Sequence, residues 1–309
     1  MPARSPRRRL TLAAAVLGAA IALSGCSAQA DAEPASTGAA THEVAHARGT
    51  TAVPDSPQRV VTLEPLELDT AVAAGITPVG AAVANTTTGV PGYLGVEGVE
   101  PVGTVSEPDL EAIAALKPDL ILGTESRHSG LYDQLSAIAP TVFIATQADP
   151  WRDNAELIGD ALGRADDVKA AVTAVDTRCD ELKSSHDLAG KTAEMIRPRD
   201  ETTLSLYGPV SFAGSLLECV GYTIPDHDWA DGLQADISPE NITSAAADAV
   251  FVTTSKVDDP STMPTAITQN AASFPTVTLV DSSTWVAGVG PKGAQSVLDD
   301  IEDFLKSGR

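Results

Sequence analysis

Residues 153–186 read DNAELIGDALGRADDVKAAVTAVDTRCDELKSSH, and they interrupt an otherwise regular alternation of strands and helices. Ala155, Leu157, Ile158, Ala161 and Leu162 recur at helical spacing, and the pattern runs on from Ala165 to Leu182 with no Pro and no Gly after Gly163. The spacing predicts a shorter helix and then a long one of about five turns. Upstream, residues 60–63 and 119–123 are short β-branched or aliphatic runs, the second stopped by Gly123. Residues 78–80 open another strand, and 141–144 form one more. Helical spacing over 68–74, 108–117 and 131–138 fills the gaps, and the Thr, Gly and Pro of 85–98 read as a loop. That order, β-α-β-α-β with short connections, implies a parallel sheet with helices on its faces. Downstream, strands are expected at 192–196, 203–207, 249–254 and 276–280, with helices at 212–220, 241–247 and 292–306. The expected fold is therefore α/β: two α/β lobes with mainly parallel sheets, joined by one long α-helix. The boundaries are a leader at 1–25, a tether at 26–43, an N-terminal lobe at 44–152, a helical linker at 153–187 and a C-terminal lobe at 188–309. A helical linker is stiffer than two or three loop crossings, so large closure is expected to be hindered.

The leader is an address rather than part of the fold. Arg4, Arg7, Arg8 and Arg9 precede LTLAAAVLGAAIAL at 10–23, a charged region followed by an apolar one of signal-peptide length. It is too short to span a bilayer, which takes about 20 residues of helix. Leu23-Ser24-Gly25-Cys26 follows and resembles a bacterial lipobox, which places a diacylated thiol on Cys26 and the protein on the extracytoplasmic face of the membrane. No later run is long and apolar enough to cross, so the lipid is the expected sole anchor. Two further cysteines remain, Cys179 and Cys219. Outside the cell they can form one disulfide or stay as two buried thiols; sequence does not supply their separation.

Of 309 residues, 20 are Lys or Arg and 42 are Asp or Glu, a formal charge of −22. Four of the basic residues belong to the leader. A body this acidic argues against nucleic acid and against adsorption to anionic lipid. With 4% aromatic residues, a stacking platform for bases is not expected either. Three apparent motifs fail on context. His42-Glu43-Val44-Ala45-His46 matches the zincin pattern H-E-x-x-H, but its neighbourhood is β-branched and Gly-Thr-Thr-rich rather than helical, so a solvated first strand is expected. The glycines of GVGPKG at 288–293 match G-x-G-x-x-G, yet lack the following strand and acidic ribose ligand of a dinucleotide site, and read as a glycine turn opening the last helix. Gly190-Lys191-Thr192 has Ser185 where a Walker A loop needs its first Gly. With no nucleophile elbow, and five His at 42, 46, 128, 186 and 227 without the carboxylate-oriented spacing of a triad, the chain reads as a binding protein and not an enzyme.

Several segments in order resemble one family. RVVTLE at 59–64, GTVSEPDLEAIAALKPDLILG at 103–123, SRH at 126–128, LYDQL at 131–135 and IAPTVF at 138–143 are similar to the iron-siderophore substrate-binding lipoproteins of ABC importers. LYGP at 206–209, SFAG at 211–214 and WVAGVGP at 285–291 extend the resemblance over about residues 44–307. The resemblance implies a class III periplasmic-binding-protein fold and capture of a ferric siderophore between lobes for delivery to an ABC permease. Iron would arrive inside its chelator, so no cofactor and no protein metal ligand is expected. The expected partners are the siderophore, the permease and, through lipid alone, the membrane; the chain is expected to be a monomer.

Arginine offers a planar fork of donors for chelator oxygens, which puts Arg127, Arg197 and, given the uncertain register at Pro198, Arg199 forward as ligand contacts. Tyr207, Ser211, Phe212 and Trp285 are expected in the cleft wall, with core packing the competing role for Phe212. Glu64 sits on the matching lip, where it would repel an anion or pair with an arginine. The family pairs one Glu per lobe with permease arginines, which here implies Glu111 and Glu240. A haem or cobalamin binder of the same fold and an extracellular zinc hydrolase using His42 and His46 remain as alternatives.

Overall fold

The computed structural model describes residues 40–84, 89–230 and 232–307; the leader, Cys26 and nearly all of the tether lie outside the described residues. The chain opens on a hairpin, β1 (Thr41–His46) and β2 (Gly49–Pro54), paired antiparallel in register His46↔Gly49. Thr41–Glu43, expected in the tether, is thus already strand. The alternation along both strands explains the docking: Val44 of β1 and Val53 of β2 point inward and are fully buried, while their neighbours are more exposed.

The first lobe follows as β3 (Val60–Thr62), α1 (Pro65–Ala73), β4 (Gly80–Val83), β5 (Glu100–Thr104), α2 (Leu110–Ala115), β6 (Leu120–Thr124), α3 (Glu125–His128), α4 (Tyr132–Ser136) and β7 (Thr141–Ile144). Its five strands are all parallel, in the order β5-β4-β3-β6-β7. Both faces are covered: Val60, Leu120 and Leu122 pack on one side, Val61 and Ile121 on the other. Two-sided burial is why these strands read as continuous apolar runs without alternation. β5 has no such run, because Pro101 and Gly103 break it, and the sheet tolerates them there because β5 is an edge.

Two helices then cross: α5 (Trp151–Ala161) and α6 (Ala165–Ser185), the long helix expected from the spacing. The second lobe holds β8 (Ala193–Pro198), β9 (Leu204–Tyr207), α7 (Phe212–Cys219), β10 (Gln234–Ile237), β11 (Ala249–Thr254), α8 (Thr265–Gln269), β12 (Val277–Asp281), α9 (Ser282–Trp285) and α10 (Pro291–Lys306). Its sheet order is β10-β9-β8-β11-β12. β8, β11 and β12 are parallel, whereas β9 and β10 run antiparallel to their neighbours, so this sheet is mixed. The helix expected at 241–247 is a 3-10 segment, Pro239–Ala245. Between the sheets, one continuous apolar core runs from Val60 and Leu122 through α1, α5, α6, α7 and α10 to Met195 and Phe251. Cys179 of α6 and Cys219 of α7 are joined by a disulfide, Cα to Cα 5.5 Å, which ties the linker helix to the second lobe. Among the described residues, no helix is long and apolar enough to cross a membrane.

Candidate functional site

In an open parallel sheet, ligands bind beyond the carboxyl ends of the strands, where the strand order reverses. The first sheet reverses between β3 and β6, the second between β8 and β11. A cavity of about 460 Å³ lies where the two carboxyl edges face each other. Pro65, after β3, and Val83, ending β4, line it from the first lobe; Arg197 of β8, Ser255 after β11 and Asp281 ending β12 line it from the second. Tyr93 and Leu94, in a 3-10 turn over Gly92–Leu94, close one side, and Val286 and Ala287 another.

Arg197 is the expected arginine that reaches the cavity wall. It leaves β8 opposite Ser205 and its Nη1 donates to the Tyr207 hydroxyl at 3.1 Å. Tyr207 therefore positions the guanidinium and is not itself part of the wall. Arg199 lies past Pro198 in the turn whose backbone closes from Arg199 N–H to Thr203 C=O, and it faces solvent; the register question at Pro198 resolves in favour of Arg197. Arg127 follows β6, beside the first sheet's reversal point rather than on the cavity wall. Its Nε lies 2.7 Å from Oε1 of Glu64, with the arginine side chain 48% exposed and the carboxylate 4%. Of the two roles open to Glu64, pairing with an arginine is the one the structure places.

Three expected wall residues belong to the core instead. Trp285 is 1% exposed, stacks on Phe251 at 4.7 Å and donates its indole N–H to Asp300 at 2.8 Å. The single turn of α9 rotates its ring inward, while its successors Val286 and Ala287 face the cavity. Ser211 caps α7: its hydroxyl donates to the Gly208 carbonyl at 2.6 Å and accepts the Gly214 N–H at 3.0 Å, which uses it up. Phe212 packs edge-on against Trp151, centroids 5.6 Å apart. The two docking candidates are both exposed: Glu111 in the first turn of α2, behind the Asp109 cap, and Glu240 in the first turn of the 3-10 segment.

The sequence reading missed a set of buried acids. Glu67, on α1, is fully buried, accepts the Thr124 hydroxyl at 3.2 Å, and has its other carboxylate oxygen unpartnered. Burial, together with the charge of Glu64, pushes its pKa well above the usual range; burial pushes Glu64 to about 7 even against the pull of Arg127. Asp69 accepts the backbone N–H groups of Lys292 and Gly293 and the Tyr93 hydroxyl, each at 2.8 Å. Burial still raises it to about 7. This carboxylate explains Gly290, while backbone crowding explains Gly293. A Cβ on Gly290, whose φ is +134°, would meet Asp69 Oδ1 at 2.5 Å, and one on Gly293 would meet the Gly288 carbonyl. The helix N-terminus does hold an anion, and the anion is the protein's own side chain. The zinc alternative fails on geometry: His42 and His46 are on a strand. His42 bonds Asp55 and the Asp160 carbonyl, and His46 bonds Thr51 and the Phe143 N–H. Among the described residues no group of three or more His, Cys, Asp or Glu is disposed to hold a metal ion. Among the described wall residues, the one side chain of a type that ligates haem iron is Tyr93, and its hydroxyl donates to Asp69.

Residues 60–276 match the family model described as periplasmic binding protein. The chain belongs to that family. This binding protein is 33% identical, over 97% of its length and 99% of the relative's, to the probable siderophore-binding lipoprotein YfiY of Bacillus subtilis. It is 29% identical to the Fe(3+)-citrate-binding protein YfmC of the same organism, over 82% of each chain. Among solved structures, Staphylococcus aureus SirA complexed with staphyloferrin B superposes with a TM-score of 0.70 at 27% identity, covering 86% of the binding protein and 99% of SirA. A periplasmic solute binding protein of Mycobacterium smegmatis gives 0.71 at 26%, covering 86% and 98%. The family's two-lobed, helix-linked architecture is the one described above.

Proposed function

We propose that this protein is the extracytoplasmic receptor of an ABC iron importer, holding a ferric siderophore in the cavity between its lobes and passing it to the permease. The observation that carries the reading is Arg197, a fork of donors steadied by Tyr207 on the wall of a cavity built at the reversal points of both sheets. Relatives named for siderophore and ferric-citrate binding support it along most of the chain. The protein supplies binding and no bond-making step, and needs no resident cofactor, because the iron comes inside its chelator. It acts as a monomer, tethered through a diacylated Cys26 that a Cys26→Ala chain would lack. Glu111 and Glu240, one exposed carboxylate on each lobe, meet basic groups of the permease.

Quenching of tryptophan fluorescence tests the ligand. Titration of the purified protein with ferric siderophores, the same siderophores without iron, haemin and cobalamin should give saturable quenching by a ferric chelate. Arg197→Ala should weaken that binding about tenfold or more, the loss of a charged hydrogen bond of about 1.5–3 kcal/mol. Response to haemin or cobalamin alone would reject the reading. In whole cells, Glu111→Ala together with Glu240→Ala should abolish uptake while the purified double variant keeps its ligand affinity; normal uptake would remove both residues from the docking surface.

A further inference from the structure

The two five-stranded sheets end on β5 and β7 in the first lobe and on β10 and β12 in the second. A sheet edge is a row of unpaired backbone donors and acceptors, and proteins usually block it. β5 carries Pro101, Gly103 and a break in register against β4. β7 is covered by the opening hairpin: Ala47 donates its N–H to the Phe143 carbonyl at 3.0 Å, and Nδ1 of His46 accepts the Phe143 N–H at 3.2 Å. β10 has Ala230 folded back on the Gln234 carbonyl at 2.8 Å and a charge at Asp236. β12 has no guard of these kinds. Residues 277–280 hold no Pro, no Gly and no charge, and the ladder to β11 runs without a bulge. Val250, opposite Val277, donates to the Thr276 carbonyl at 2.9 Å, so the parallel ladder turns Thr276, Thr278 and Val280 toward β11. The N–H and C=O groups of Val277 and Leu279 point away from the sheet, and among the described residues they have no backbone partner.

Two grooves flank this edge, and Thr278 and Leu279 line both. One, of about 380 Å³, is largely apolar, with Val257, Pro260 and Met263; the Val257 residue is 42% exposed. The other, of about 260 Å³, lies against α10 and holds Asp300, Asp303 and Phe304. Arg178 and Lys306 pair with Asp299 and Glu302, and no cation stands within ion-pair reach of Asp300 or Asp303 among the described residues. Burial, with the charges of Asp281, Asp299 and Asp303 added, pushes the Asp300 carboxyl above its usual range against the pull of the Trp285 N–H. An added strand projects alternate side chains to the two sides of the sheet, here one apolar and one acidic. We propose that the open edge of β12 takes up an extended segment of another polypeptide in which apolar and basic residues alternate, the apolar ones over Val257 and Met263 and the basic ones over Asp300 and Asp303. A second copy of this chain is a poorer occupant, because antiparallel pairing of two β12 strands sets both α10 helices on one side with their acids facing.

The test titrates the purified protein with a blocked peptide of alternating Lys and Val, as long as β12. Saturable binding is expected, at least about tenfold tighter than that of the same peptide with Glu for Lys. Hydrogen exchange at the Val277 and Leu279 amides should slow when the peptide is bound. Two isomers of equal charge, one N-methylated at its Lys amides and the other at its Val amides, separate strand addition from attraction between charges. Only one set of amides faces β12, so one isomer should bind about tenfold more weakly than the other. Asp303→Lys should weaken the lysine peptide about threefold, as for an exposed ion pair. Leu279→Pro, which removes an outward N–H and leaves the bonds to β11 in place, should abolish slowed exchange at Val277. Equal binding of the two methylated isomers, protection elsewhere than at 277 and 279, or no binding of the lysine peptide would each overturn the proposal. Self-association of the unaltered protein that Leu279→Pro abolishes would also overturn it, in favour of a second copy as the occupant.

Discussion

Asp69 shows how much one side chain can decide. It stands on α1 of the first lobe, and its carboxylate closes the N-terminus of α10, the last helix of the second. A helix leaves its first N–H groups without intrahelical partners, and here another element supplies the acceptor. Asp69→Ala would strand two backbone donors and the Tyr93 hydroxyl in a buried place, each unsatisfied group costing about 1–3 kcal/mol. Thermal unfolding of Asp69→Ala should therefore show a stability loss of about 3 kcal/mol or more, with Asp69→Asn, which retains one acceptor, losing less. Equal melting of Asp69→Ala and the unaltered protein would mean that the cap contributes nothing. The sequence offers no sign of this role, since an acid two residues after Glu67 in a helix start reads as an exposed first-turn charge. Arg197 was legible because a cation ending an apolar strand in so acidic a chain stands out. Trp285 misled because its orientation depends on the short turn of α9 and not on its position in a loop.

At the scale of elements, periodicity served where burial is one-sided or complete and failed where neither held. β11 (Ala249–Thr254), buried on both faces, and α10, with one buried stripe, were readable to within a residue. β5 and β10 were not, because edge strands need no apolar pattern to be held by their hydrogen bonds. The disulfide is also an element-scale fact, linking α6 to α7 across a sequence separation of 40. In the chain-entropy account, a loop of that size stabilises by about 2–4 kcal/mol. Replacing Cys179 and Cys219 with Ser should lower the denaturation midpoint by a matching amount, measured in urea under non-reducing conditions, without changing ligand affinity, since neither helix lines the cavity. A midpoint unmoved by the double replacement would show that the bond adds no stability.

The molecule as a whole buries carboxyl groups at a cost that depends on pH. Burial raises Glu194 to about 9, and the same burial lowers His227, whose Nε2 lies 2.9 Å from Glu194 Oε2, so the pair is neutral near pH 7. A carboxyl whose folded pKa lies above its unfolded value holds its proton longer in the native state. Its contribution is complete below the unfolded value of about 4.3 and is lost as pH rises through the folded one. Glu64 and Asp69, both raised to about 7, act in the same direction over a lower window. Stability should consequently fall from pH 5 to pH 10, and Glu194→Gln should lose less than the unaltered protein above pH 7; parallel curves would reject the assignment. The sequence by itself determined the α/β class, the two sheets with a helical passage between them, and the acidic surface. Each follows from the spacing and sign of residues close together in the chain, where local geometry dictates which face is buried. Tertiary structure alone decided which arginine meets the cavity, that Trp285 is core, that Asp69 caps α10 and requires Gly290, and that Cys179 bonds Cys219. Those depend on groups far apart in sequence, whose distances and solvation exist only once the sheets and helices have packed.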